Sequence, residues 1–292
     1  MKIVTDCAAD LTMIEARDLD ICVAPLYINF PDGQVDSNNL TADEFYTRLE
    51  AMQPTIPSTA QPSEGEFRQI YENASIGGED VLSIHISSGL SGTLNAARLA
   101  AQHAAGQAVT IFDSLTLSGG ERFQVLAAAQ FARAGWTIQS ILQRLEEIRR
   151  SSEVIYTLDT LSYLARGGRI GRVQALAGAL LKVKPIITVD HTDGKYSTIG
   201  RARTVQKALE EITEILFKRY DRELIWVTVL HGQYAEKAQD LARLLQERLN
   251  IGKLEIMRIS PVLGVHTGPG IVGAAAMPMR LAPPTLSTAN QT

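Results

Sequence analysis

Short runs rich in β-branched residues alternate with longer stretches of helical period along most of this chain, and that alternation limits its fold more than any other feature. Residues 2–5, 21–30, 81–86 and 109–112 read as strands, being short, apolar and bounded by turn-forming residues. Between them, Thr41 with Glu44 and Ser63 with Glu66 match the capping box, in which a hydroxyl and a carboxylate satisfy each other's backbone donors at a helix start. Phe45, Leu49 and Met52 then recur at helical spacing, as do Phe67, Ile70, Tyr71 and Ala74. Residues 117–134 predict a long Ala-rich helix stopped by Gly135, and Thr137 opens another that runs to about Arg150.

The second half repeats the rhythm with strands at 154–158, 186–189, 195–199, 224–230 and 254–260, and helices at 173–181, 204–220 and 234–249. Thr192-Asp193-Gly194 is a hairpin turn joining two of those strands, so the second sheet is expected to be mixed rather than wholly parallel. The class is therefore layered α/β. At 292 residues the chain exceeds what one hydrophobic core usually serves. Two domains are expected, 1–150 and 151–281, with 282–292 as a flexible tail headed by Pro283-Pro284.

Charge and cysteine usage remove several classes of function. A net charge of -4 gives no summed positive field for a phosphate backbone, which argues against nucleic acid as a partner. Lys2 and Asp6 interrupt the opening residues before a signal-peptide core can form, and no later run reaches the ~18 apolar residues of a membrane span. A cytoplasmic protein without stable membrane insertion is expected. Cys7 and Cys22 fall in no CxxC or Cys/His pattern, so no disulfide framework, metal site or cofactor is indicated.

Four segments carry residue types suited to chemistry. Ser87-Ser88-Gly89-Leu90-Ser91-Gly92-Thr93 follows a strand and opens a helix, where hydroxyls and flexible backbone present donors to a carboxylate or phosphate. It has neither the Gly-Lys-Ser/Thr ending of a P-loop nor GxGxxG spacing. Thr59 lies in a loop pinned by Pro57 and Pro62 ahead of a capped helix. His266 stands in a tight glycine-rich loop, Val265-His266-Thr267-Gly268-Pro269-Gly270, where backbone can approach a ligand closely. Arg166, Arg169 and Arg172 crowd one Gly-rich stretch of an otherwise acidic chain, with Arg201 and Arg203 following the hairpin; guanidinium forks suit phosphate or an acidic partner.

In this order and spacing the segments resemble the DegV family of fatty-acid-binding proteins. The resemblance runs from Val4-Thr5-Asp6-Cys7-Ala8-Ala9-Asp10-Leu11 through Thr59-Ala60-Gln61-Pro62, Ser87 to Thr93, Asp113-Ser114 and Leu164-Ala165-Arg166-Gly167-Gly168-Arg169-Ile170 to His266-Thr267-Gly268-Pro269-Gly270. Two departures are mild: the family usually has serine where Cys7 stands, and Thr-Ser-Gln-Pro where this chain has Thr59-Ala60-Gln61-Pro62. The resemblance implies an N-terminal α/β/α Rossmann-like layer domain, a C-terminal α/β domain with a mixed sheet, and a long-chain fatty acid held between them. It also implies that Thr59 and Ser91 bond the carboxylate with His266 beside it, that Gly92 and Thr93 support the loop, and that Arg169, Arg201 and Arg203 face a kinase or a phosphate. The partner it implies is a fatty acid kinase catalytic subunit, which converts the presented carboxylate to an acyl phosphate. The chain would then be a lipid carrier without a catalytic centre or cofactor of its own.

Elementary energetics agree with carriage. A tail of about fifteen carbons buried at roughly 0.8 kcal/mol per methylene offers about 12 kcal/mol before ordering costs. Headgroup hydroxyls then need only orient the carboxylate and offset its desolvation. Ala-rich runs at 125–129 and 175–181 are candidates to line a channel, or equally ordinary core helix. The alternative is a serine hydrolase of acyl esters in which Ser91 attacks, His266 is the base and Asp221 or Asp240 orients it, although Thr93 stands where a nucleophile elbow wants its final glycine. A phosphoryl-transfer enzyme is a weaker alternative, since neither a P-loop lysine nor paired aspartates for magnesium are evident.

Overall fold

The computed structural model describes residues 1–104, 108–173 and 183–283. In chain order its elements are β1 (Lys2–Asp6), α1 (Met13–Asp18), β2 (Ile21–Ala24), β3 (Tyr27–Phe30), β4 (Gly33–Asp36), α2 (Ala42–Ala51), β5 (Ser58–Ala60), α3 (Glu64–Ala74), β6 (Val81–His85), α4 (Thr93–Gln102), β7 (Val109–Asp113), α5 (Ser118–Arg133) and α6 (Ile138–Ser151). They continue with β8 (Glu153–Leu158), α7 (Ser162–Arg166), β9 (Lys184–Val189), β10 (Tyr196–Ala202), α8 (Val205–Tyr220), β11 (Ile225–His231), α9 (Ala235–Arg248), β12 (Ile251–Arg258), α10 (Pro261–Thr267) and β13 (Ile271–Pro278).

The first sheet has the order β2-β1-β6-β7 and is parallel throughout. The second has the order β10-β9-β8-β13-β11-β12 and is mixed, as the hairpin turn predicts. Both expected capping boxes form, at Thr41/Glu44 and Ser63/Glu66, and a third at Thr12/Glu15 starts α1. Helices α3 and α4 cover one face of the parallel sheet, where Phe67, Tyr71 and Ala97 meet Val4 and Val81. On the outer face of the mixed sheet, Leu209, Ile212 and Leu216 of α8 and Leu241 and Leu245 of α9 pack on Val227 and Val229.

Helix α5 is buried almost from end to end. It contacts β1 and β6 of the first sheet and β8 and β13 of the second. Its first turn carries Gly119 and Gly120 because the second sheet lies against it there: a Cβ at Gly119 would sit 2.6 Å from Ala275 Cβ, and one at Gly120 2.7 Å from Val154 Cγ2. The boundary expected near Ser151 falls between α6 and β8. Side chains from both sides of it, among them Ile28, Phe45, Leu126, Trp226 and Val265, share one core.

Three expectations are corrected. The strand expected over 21–30 is two, because Pro25 interrupts it, and β3 departs to form a separate antiparallel sheet in the order β4-β3-β5. The loop carrying Thr59 is partly strand, with Thr59 opposite Ile28. His266 lies on the last turn of α10 rather than in a loop. β13, buried at every position, was not expected at all; its Gly273-Ala274-Ala275-Ala276 core has no β-branched signal. Most of the helix expected at 173–181, with its candidate channel run, and the tail from 284 onward lie outside the described residues.

An ion cluster ties α5 to both ends of the chain. Arg122, with a side chain 2% exposed, bonds Glu15 of α1 and, at 3.0 Å, Glu255 of β12. Glu255 also accepts from Trp226 Nε1 at 2.7 Å. Removing the guanidinium takes away the cation that Glu15 and Glu255 share, leaving Glu255 with Trp226 and Lys253 and Glu15 with Thr12, so Arg122→Ala should lower stability by about 2 kcal/mol in urea denaturation; a loss below about 1 kcal/mol would show that the cluster is solvated.

Candidate functional site

The three residues expected at a headgroup come from distant parts of the chain and line one pocket. Thr59 is held by its pairing with β3 and by the flanking prolines. Ser91 sits in the loop between β6 and α4, which is braced from two sides. Asp113 Oδ1 accepts from Ser88 N at 3.2 Å and Leu115 N at 3.0 Å. From the second sheet, the turn between β9 and β10 docks on the loop: Ser87 Oγ donates to Gly194 O at 2.8 Å, and a Cβ at Gly89 would meet Asp193 O at 2.4 Å. His266 arrives on α10, which contacts α2, α7, β3 and β5.

The pocket is lined by Thr59, Gln61, Leu90, Ser91, Arg169, Tyr196, Leu263 and His266 among others, and holds about 490 Å³ of empty space, part of it open to solvent. Thr59 Oγ1 and His266 Nε2 are 2.9 Å apart. Ser91 Oγ lies 2.8 Å from Thr93 Oγ1 and accepts from Thr93 N at 3.3 Å, where Gly92 has no side chain to cap α4. Gln61 folds over Gly92, bringing the two hydroxyl loops together. Arg169 donates to Gly167 O at 2.9 Å and Leu90 O at 3.4 Å, which holds its guanidinium at the pocket wall.

A second, apolar cavity holds about 360 Å³ of empty space. Its walls include Leu117 and Ser118 at the start of α5, Ile155 and Tyr156 of β8, Leu230 of β11, Ile259, and Leu263 and Thr267 of α10. Leu263 lines both spaces. Each is a narrow slot rather than an open chamber.

Burial sets the protonation of the pocket. The His266 imidazole is pulled down to about 4, first by desolvation of the imidazolium and second by the Arg169 charge. It is neutral at neutral pH and serves Thr59 as a hydrogen-bonding group. Tyr196 is pushed up to about 12 by burial and stays a neutral phenol. Arg169 is thus the cation of the pocket lining, and a buried anion needs such a partner.

The structure places Thr59, Ser91 and His266, expected together, on the wall of one pocket. Arg169 does not join Arg201 and Arg203: it lines the pocket, whereas they are exposed on and after β10. Tyr196 and Leu263 carried no motif and were missed. The hydrolase triad is not assembled. His266 Nε2 meets Thr59 and its Nδ1 has no hydrogen-bond partner among the described residues, while Asp240 pairs with Lys237 and Arg243 and Asp221 lies at the end of α8. A real Asp-His-Ser chain exists elsewhere, Asp6 to His85 at 3.0 Å and His85 to Ser83 at 2.7 Å, yet all three are fully buried within the first sheet. Among the described residues no helix is long and apolar enough to cross a membrane.

Two layered α/β halves thus carry a polar pocket and an apolar slot that share Leu263. The chain belongs to the DegV family: the family model described as an uncharacterised protein of the DegV family matches residues 1–279. A DegV domain-containing protein of Deinococcus radiodurans is 38% identical over 283 residues, covering 96% of this chain and 99% of that one. Among solved structures, a DegV family protein from Thermus thermophilus, described by its fatty acid binding, superposes with a TM-score of 0.89 at 33% identity over 95% of this chain and 99% of that one. DegV of Bacillus subtilis, described as a fatty acid binding protein, does so with a TM-score of 0.87 at 28% identity over 95% and 98%.

The neutral state of His266 has a consequence for acid stability. A folded-state pKa of about 4, below the unfolded value of 6.5, contributes stability that is whole above pH 6.5 and is lost as pH falls toward 4. Asp10, pushed up to about 6 by burial, acts with the opposite sign over part of that window, so comparison with His266→Gln isolates the histidine. Between pH 7 and pH 4.5 the wild type should lose up to about 3 kcal/mol more than His266→Gln in urea titrations. Parallel curves would place the imidazole in water.

Proposed function

We propose that this protein holds a long-chain fatty acid, with the carboxylate at Thr59, Ser91 and Arg169 beside His266 and the tail in the apolar slot beyond Leu263. One observation carries the reading: a pocket with hydroxyls and a cation shares a wall residue, Leu263, with a cavity walled by side chains that offer little to a polar ligand. Solved relatives described as fatty acid binding support it. The tail supplies affinity by leaving water, and the headgroup contacts replace the water the carboxylate loses. Because both spaces are narrow, an entering chain moves Leu263 aside and orders what it touches, which draws on the gross burial energy.

The protein is then a carrier, and chemistry on the carboxylate belongs to a separate enzyme, the fatty acid kinase that the family resemblance implies. Part of the pocket is open to solvent, which suits presentation to such a partner. Arg201 and Arg203, exposed on and just after β10, are candidates to meet it.

Mass spectrometry of lipid extracted from the purified protein should find stoichiometric fatty acid. Thr59→Val, Ser91→Ala and Arg169→Ala should each weaken retention about tenfold or more while the fold is kept, as expected for bonds to a charged group. Leu263→Trp should abolish uptake by filling the junction. Full occupancy in all four variants would defeat the assignment, and hydrolysis of acyl esters abolished by Ser91→Ala would replace it.

A further inference from the structure

We propose that Asp10 is a positioning residue whose carboxyl group ties the two walls of the acyl slot to each other and so sets how tightly a chain is held. This deepens, and rests on, the fatty-acid reading above. Asp10 follows the short 3-10 turn at Cys7–Ala9, in a left-handed conformation with φ of 51°, and is 6% exposed. One carboxyl oxygen accepts from Ser260 N at 2.7 Å, the residue that opens α10. The other accepts from Ser118 Oγ at the first residue of α5. Both elements contribute to the walls of the slot: Leu117 and Ser118 at the start of α5, Leu263 and Thr267 of α10, with Ile259 just before it.

The two bonded residues are 142 positions apart by number, Ser118 and Ser260, and Asp10 belongs to neither element. One short side chain therefore fixes the spacing between helices that would otherwise be set by apolar contact alone, and apolar contact is not directional. The same tie reaches the headgroup, because Ser260 opens the helix that ends with His266. The tie does not need the negative charge. A protonated or amide group still accepts from Ser260 N and donates to Ser118 Oγ in place of accepting. Burial pushes the carboxyl up to about 6, and the charged or titratable groups acting on it are Arg122 and Glu121 of α5, with Tyr46 of α2. An Asn at this position should thus preserve the function and an Ala should not.

The test is release of parinaric acid, a fluorescent long-chain fatty acid, measured with hydrogen exchange on the full chain. Release should be about tenfold faster from Asp10→Ala than from wild type, and unchanged in Asp10→Asn. Exchange should rise at residues 259–267 and 117–120 in the Ala variant, with β11 unaffected. Equal release from wild type and Asp10→Ala, or equal exchange at both segments, overturns the tie. So does an Asn variant that behaves like Ala. If Asp10→Ala does not fold, Ser118→Ala removes one arm only: faster release with faster exchange at 117–120 supports the tie, and unchanged values overturn it. Wild type that takes up no parinaric acid defeats the fatty-acid reading, while exchange in the variants still decides whether the walls are tied.

Discussion

A carboxylate can sit at the mouth of an apolar slot only if something replaces the water it gives up, and that requirement organises the site. Desolvating an ionised acid without partners costs several kcal/mol, a large share of what a buried tail offers. In the proposed reading the pocket meets the requirement with hydroxyls from two loops and one guanidinium held by backbone carbonyls of Gly167 and Leu90. The same guanidinium, together with burial, keeps His266 uncharged. The imidazole then acts through the geometry of its bond to Thr59 rather than through charge.

Convergence of those groups depends on the way the halves of the chain interlock. α5 lies between the two sheets, with glycines where the second sheet approaches, and Arg122 on its length is bonded by carboxylates from α1 and β12. The turn between β9 and β10 rests on the Ser91 loop, and α10 brings His266 against β5. Most of these contacts join residues more than a hundred positions apart. The slot lies among them, walled by α5, β8, β11 and α10. Its narrowness means that occupancy and wall spacing are coupled, which is the setting in which a polar tie such as Asp10 has an effect.

Much of this was legible in the chain before its structure. Period and capping placed α2 and α3, the parallel strands β1, β6 and β7, and the hairpin that makes the second sheet mixed, because those signals are local. The hydroxyl loops and His266 were visible as motifs. What escaped notice is non-local or chemically quiet. β13 is built of Gly and Ala, whose strand preference is weak, and it forms because β8 and β11 flank it on both sides. His266 looked like a loop residue since glycines surround it, but Pro261 at the first helical position starts α10. Arg169 read as one of a group of arginines suited to phosphate or an acidic partner; its contact with Leu90, 79 positions away, sets it on the pocket wall. Leu263 and Tyr196 are ordinary residues made important by position.

The account stands or falls on where an acyl chain runs. A crystal structure of the protein grown with a saturated long-chain fatty acid measures that directly. Continuous density should begin between Thr59 and Ser91, within hydrogen-bonding distance of both and near Arg169, pass a displaced Leu263, and end among Leu117, Ile155 and Leu230. Density that lies elsewhere, or a slot that stays closed around Leu263 while the ligand binds with its carboxylate in solvent, would contradict it.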